Sequence, residues 1–188
     1  MSKHILRKLQ QSYAELQTAR QEAYVFSQEA LRLSKQAIFY LHENKHKEAS
    51  HALRDAEKRL KKLQKIWRTF DRIRYEGSTH AALEEYAEAK TYYVFVEKGR
   101  INEVKDFEVS DEEYIGGLAD VTGELVRRVV MLATNHDGAG VDFIHGTVET
   151  IVEHLLGFHL TGHLRQKFDD AKRNLHKIED IRYQLKRQ

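Results

Sequence analysis

Apolar side chains return at helical spacing from residue 2 to about 44: Leu9, Tyr13 and Leu16, then Phe26, Ala30, Leu33, Ala37 and Tyr40. Positions three and four apart share a helix face, so the pattern predicts one long helix. The polar run 43–47 around Asn44 predicts a tight reversal. A second helix follows over about 46–75, where Ala49, Leu53, Ala56, Leu60, Leu63, Trp67 and Phe70 recur in steps of four and three. That spacing suits a helix packed lengthwise on a partner, which gives a long antiparallel hairpin. Gly77, Ser78 and Thr79 interrupt the pattern, with Ser78 or Thr79 as cap of a third helix. Its stripe is Ala82, Tyr86, Ala89, Tyr93 and Val96, and Gly99 ends it. The stretch 97–107 is mostly polar. Ser110 and Glu113 then have capping-box spacing at the start of a fourth helix with Tyr114, Leu118, Val121, Leu125 and Leu132 inward. After a loop near 135–140, a fifth helix (about 141–158) and a sixth (about 162–187) complete the chain, the last facing inward through Leu164, Phe168, Ala171, Leu175, Ile178 and Tyr183. No strand alternation occurs, and the expected fold class is all-α: a long antiparallel helical hairpin plus further helices in a bundle.

Composition sharpens this in three ways. The absence of proline among 188 residues favours unbroken helices, and the length fits a single domain, 1–188. The absence of cysteine excludes disulfides and thiolate metal sites. No apolar run reaches membrane-spanning length and no signal-peptide core follows Met1, so no membrane is expected and a cytoplasmic location is. The net charge of +2 conceals an uneven division: 17 Lys+Arg against 8 Asp+Glu in residues 1–75, 6 against 17 in 76–160, and 8 against 4 in 161–188. Basic ends flank an acidic middle, an arrangement compatible with a cation site beside a polyanion-binding surface.

Within that middle, Glu85 and Glu88 lie three apart and Asp120 and Glu124 four apart, so each pair projects from one face of its helix. Four carboxylates from two facing helices can hold a hard divalent cation. On spacing alone, two solvated acidic faces are the more ordinary explanation, since Glu pairs at helical spacing are common. Asp111, Glu112 and Glu113 have a capping role at a helix start and are set aside. Arg54, Lys58, Lys61, Lys65, Arg68 and Arg72 form a basic stripe on the second helix, readable as a phosphate-binding ridge or as the wet flank of an amphipathic helix. His159 and His163 stand four apart but lack the HExxH glutamate. Glu43 with His46 and Glu48 with His51 match the Glu-x-x-His spacing of di-iron bundles but lie too close together to come from two facing helices. No nucleophile motif of GxSxG or P-loop type is present.

The run 114–125, Tyr-Ile-Gly-Gly-Leu-Ala-Asp-Val-Thr-Gly-Glu-Leu, resembles the motif of the translin superfamily, in particular its branch of translin-associated factor X. Glu85 to Ala89 resembles the same branch's Glu-Tyr-Val-Glu-Ala, and further similarity lies in Ser34 to His42 and Lys177 to Leu185. Leu118 and Val121 depart from the usual valine and leucine. The resemblance implies a helical bundle assembled into a hollow homo-oligomer, an octamer in most members, that binds single-stranded RNA or single-stranded DNA, with room for a translin-like partner subunit. For the Trax-like branch it implies a magnesium-dependent endoribonuclease, manganese being an alternative ion, with Glu85, Glu88, Asp120 and Glu124 as catalytic carboxylates and metal ligands. The alternative is a non-catalytic nucleic-acid-binding oligomer of translin type. Arg54, Lys58, Lys61, Lys65, Arg68, Lys98, Arg100 and Lys105 are candidates for nucleic-acid contacts.

Overall fold

Six helices lie in chain order in a computed structural model that describes residues 3–102, 104 and 107–187: α1 (Lys3–His42), α2 (His46–Thr69), α3 (Gly77–Lys98), α4 (Asp111–Thr134), α5 (Gly138–Leu156) and α6 (Gly162–Leu185). Among the described residues there is no strand, and the all-α expectation holds. The reversal between α1 and α2 turns on Asn44, whose φ of 57° is one that asparagine tolerates better than most residues. α1 and α2 form the hairpin, α3 packs on α1, α4 on α3, and α5 and α6 on α4.

The face that α1 buries is made of small residues. Ala19, Ala23, Ser27, Ala30, Ser34 and Ala37, followed by Leu41, recur in steps of four and three and let neighbouring helices approach closely. Phe26, Leu33 and Tyr40, expected at the centre of that face, are only partly buried beside it, because apolar bulk had concealed a stripe that includes two serines. At 1.5 Å per residue α1 is about 60 Å long and α2 about 36 Å. Residues 3–15 accordingly overhang the hairpin and are exposed throughout, including Leu9 at 59% and Tyr13 at 65%, which the sequence pattern had placed in the core.

Several boundaries differ from expectation for local reasons. α2 ends at Thr69 instead of near 75; Phe70 leaves helical geometry and a 3₁₀ turn, Asp71–Tyr75, buries Ile73 fully. α3 is capped neither by Ser78 nor by Thr79: it starts at Gly77 after Glu76, whose carboxylate accepts from Arg20 Nε at 2.7 Å. The predicted stop holds, with Gly99 at φ 64° closing α3 in the left-handed conformation that glycine adopts without strain. The mostly polar stretch that follows still contributes to the core, for Phe107 packs edge-on against Trp67 and Tyr86 with centroids 6.3 Å away in both cases. Ser110 and Glu113 form the predicted capping box at α4. α5 starts three residues earlier than expected, because Asp137 caps it through the Gly140 N–H. On α6, Phe168, Ala171 and Ile178 are buried, whereas Tyr183 is exposed. No helix among the described residues is long and apolar enough to cross a membrane.

Candidate metal centre

Glu85 and Glu88 leave α3 one turn apart, and Asp120 and Glu124 leave α4 one turn apart. The two helices meet closely because Gly117 lies at their crossing. A Cβ there would stand 2.7 Å from the backbone nitrogen of Glu88 and 2.9 Å from the carbonyl oxygen of Glu84, and neither backbone atom can swing away. Gly117→Ala is therefore expected to destabilise by roughly 1–3 kcal/mol through overpacking, despite alanine's helix-propensity advantage of about 1 kcal/mol. At Gly123 a Cβ would meet only Asn174 Nδ2, at 3.5 Å, so Gly123→Ala is expected to stabilise by up to about 1 kcal/mol. Urea unfolding of the two variants checks the contrast; the same sign for both would detach Gly117 from the crossing.

Glu88 is the inner member of the group. It is only 9% exposed, and among the described residues no hydrogen bond holds its carboxyl group. Burial pushes that group up to about 9, reinforced by the charges of Glu85, Asp120 and Glu124 and opposed by Lys167. Burial also raises Glu85, against the pull of Lys35, and raises Asp120, against a hydrogen bond from Lys167.

The outer three carboxylates have partners supplied by the protein. Lys35 Nζ lies 3.7 Å from Glu85, Lys167 pairs with Asp120, and His42 Nε2 pairs with Glu124. His42 is itself oriented: its Nδ1 lies 3.3 Å from the Tyr92 hydroxyl, which burial pushes up to about 12 and so keeps as a donor. The imidazole thus lies between the Tyr92 hydroxyl and the Glu124 carboxylate, one ring nitrogen towards each. Because of these partners the carboxylates surround a common region without converging: among the described residues no three of them bring oxygen atoms within 4.8 Å of one another. A donor set of carboxylate oxygens alone, grouped around a buried carboxylate that lacks a cation of its own, fits a hard divalent ion such as magnesium or manganese. Such an ion would compete with Lys35 and Lys167 for Glu85 and Asp120.

Residues 18–186 match the Translin family. The chain belongs to the translin family. An uncharacterized protein of Methanocaldococcus jannaschii is 30% identical over 165 residues, covering 85% of this chain and 73% of that protein. The structure of AfC3PO in complex with duplex RNA and the crystal structure of AfC3PO alone each match with a TM-score of 0.88 and 25% identity over 96% of both chains. The crystal structure of apo-NeC3PO matches with a TM-score of 0.89 and 21% identity over 98% of both chains, a likeness of fold. The translin-type bundle read from the motif at 114–125 is thus the fold observed.

In this translin-family chain the predicted basic ridge is an exposed face of α2, and part of it is paired on that helix. Arg54 donates to Ser50 Oγ at 2.9 Å, Lys58 pairs with Asp55 at 2.8 Å and Lys61 with Glu57 at 2.5 Å, while Lys65 and Arg68 are exposed. Arg72 leaves the ridge where α2 ends. Lys98 and Arg100 are exposed at the end of α3, and Lys105 lies outside the described residues. The Glu-x-x-His pairs do not assemble: Glu43 pairs with Lys45, His46 with Glu97 and His51 with Asp55. Sequence reasoning missed Lys35, His42 and Lys167 as neighbours of the carboxylates. Lys35 and His42 lie in the family-like run 34–42, so a signal for them existed; Lys167, 47 residues from Asp120, carried none.

Proposed function

We infer that this chain is a metal-dependent endoribonuclease that hydrolyses phosphodiester bonds of single-stranded RNA inside a homo-oligomer, with magnesium, or manganese in its place, held by Glu85, Glu88, Asp120 and Glu124. The observation that carries the reading is Glu88, a buried carboxyl group among three carboxylates, with no cation of its own among the described residues. A protein retains such a group at a cost in stability, and functional sites are where groups of this kind concentrate. The bound metal would supply Lewis acidity that activates a water and neutralises charge on the scissile phosphate. The protein's own part is orientation and proton handling. Tyr92 and His42 fix Glu124, and Lys167 fixes Asp120. Lys35, largely exposed at the edge of the group, is placed to meet a phosphate oxygen.

RNA as the substrate class draws support from AfC3PO, whose structure is known with duplex RNA. Assembly draws support from the overhanging start of α1, where Ile5, Leu6, Leu9 and Tyr13 present apolar surface that a neighbouring subunit, of this chain or of a translin-like partner, can cover. A non-catalytic RNA- or single-stranded-DNA-binding oligomer is the second reading, and the turning of the outer carboxylates onto Lys35, Lys167 and His42 favours it.

The two readings separate on end-labelled single-stranded and duplex RNA incubated with magnesium. Cleavage of the single strand by the native chain, abolished by chelator and reduced about a hundredfold or more in Asp120→Asn with binding retained, is the expected result. Binding without cleavage in the native chain selects the second reading, and undiminished cleavage by Asp120→Asn overturns the site.

A further inference from the structure

A second group of ligands, distinct from the four carboxylates, lies where the start of α6 meets α3. His80 and Glu84 are one turn apart on α3, and His163 is the second residue of α6. Glu84 Oε2 lies 3.6 Å from His163 Nε2 and 4.0 Å from His80 Nε2. One ligand atom from each residue falls within 4.8 Å of the other two. Ligands held about 2.0–2.2 Å from a tetrahedral zinc ion stand roughly 3.3–3.6 Å apart, so the cluster needs only a small contraction. His163, half-exposed in the first turn of its helix, is free to supply it.

Three features prepare these atoms for a metal. His80 has its other ring nitrogen, Nδ1, 3.1 Å from Glu113 Oε1. Glu113 is fully buried and accepts from both Arg74 terminal nitrogens, at 2.6 and 2.8 Å, and from the Ser110 N–H at 2.8 Å. With the proton on Nδ1, that nitrogen donates to the Glu113 carboxylate and leaves Nε2, on the Glu84 side, as a lone-pair donor for a metal, the carboxylate–histidine–metal arrangement that orients metal ligands. Glu84 divides its two oxygens: Oε1 lies 3.1 Å from Lys167 Nζ, while Oε2 is buried with no hydrogen-bond partner among the described residues. Space for that oxygen is kept by Gly116, where a Cβ would come within 2.0 Å of it.

From this geometry we propose that His80 Nε2, Glu84 Oε2 and His163 Nε2 bind a zinc-class divalent transition-metal ion, leaving a fourth position for water or an exogenous ligand. Two imidazoles and one carboxylate select borderline ions such as zinc over magnesium, which prefers oxygen. The ion would clamp the first turn of α6 to α3. Lys167 bridges Glu84 to Asp120, but none of the three proposed ligands is one of the four carboxylates, so the site stands whether or not the nuclease reading does.

The test uses the full chain without an affinity tag, stripped by chelator and titrated calorimetrically with zinc chloride in magnesium-free buffer. Cobalt chloride follows in a parallel titration read by visible absorption. One tight zinc per chain, separable from any weaker uptake by the four carboxylates, is expected, with the affinity of that tight site reduced about tenfold or more in His163→Ala, whose exposed position makes loss of folding no concern, and in His80→Ala. His159→Ala is expected to bind zinc as the native chain does. The native chain should give the intense visible bands of tetrahedral cobalt, and His163→Ala should lose them. Zinc affinity unchanged in His163→Ala, or weakened equally in His159→Ala, would show adventitious histidine binding and overturn the proposal, as would only the faint spectrum of octahedral cobalt in the native chain.

Discussion

Replacing Glu88 by glutamine should sharply reduce RNA cleavage while making the metal-free chain more stable at alkaline pH. The folded chain holds the Glu88 carboxyl near 9, against about 4.5 in an unfolded chain. Between those values the folded state therefore keeps a proton that the unfolded state has lost. The stability associated with that proton is fully present below about 4.5 and is lost as pH rises towards 9, at no more than about 1.4 kcal/mol per pH unit. Glutamine keeps the shape and cannot ionise, so that part of the slope should vanish. Thermal melts in chelator at pH 5.5, 7 and 8.5 should bring the two proteins' stabilities furthest apart at the highest pH, with Glu88→Gln the more stable. Cleavage should fall by about 10²–10³-fold, the scale of losing a preorganised charged group at a reacting centre. The same burial implies that magnesium binding expels a proton, so magnesium affinity should rise with pH across the same window. Parallel pH–stability curves for the two proteins would contradict the burial of a neutral Glu88.

Arg74→Met should cost about 3–5 kcal/mol, because it leaves the Glu113 carboxylate fully buried without its main counter-charge. Arg74 reaches Glu113 through both terminal nitrogens, a planar fork that lysine cannot reproduce, so Arg74→Lys should also lose stability, though less. The guanidinium also lies 5.3 Å from the Trp67 ring, so its removal loosens the end of α2 as well as the start of α4. Combining Arg74→Met with Glu113→Gln should recover much of the loss, since the uncompensated charge is then gone. Urea unfolding measures all four proteins, and a shift below about 1 kcal/mol for Arg74→Met would mean that Ser110 and His80 satisfy Glu113 unaided.

These two predictions concern residues that a linear reading treats very differently from the structure. Glu113 is recognisable as a capping-box glutamate from its distance to Ser110, and that role holds. Its service to Arg74 and His80 is invisible in the sequence, because they arrive from the 3₁₀ turn and from α3. Glu85, Glu88, Asp120 and Glu124 are legible as pairs from spacing and as one group only through the family motif. Spacing could not say that Glu88 is buried, nor that Lys35, Lys167 and His42 hold the other three. In the sequence His163 pairs by spacing with His159; its partners in space are His80 and Glu84.

What the sequence determined by itself is what neighbours along the chain encode: the helices, the inward stripe of α2, the reversal at Asn44, the stop at Gly99 and, through the contiguous run 114–125, the family. Helical periodicity is a property of neighbours three and four residues apart, so it survives in a linear reading. The tertiary structure decided which faces meet, how closely, and which charges are left without water. Gly117 sets the approach of α3 and α4, and that approach determines that Glu88 is buried among like charges while Glu85 and Asp120 reach lysines from other helices. Burial and charge pairing arise from residues distant in sequence, which is why the carboxylates could be located from the chain alone but not their protonation, their partners or the second ligand cluster beside them.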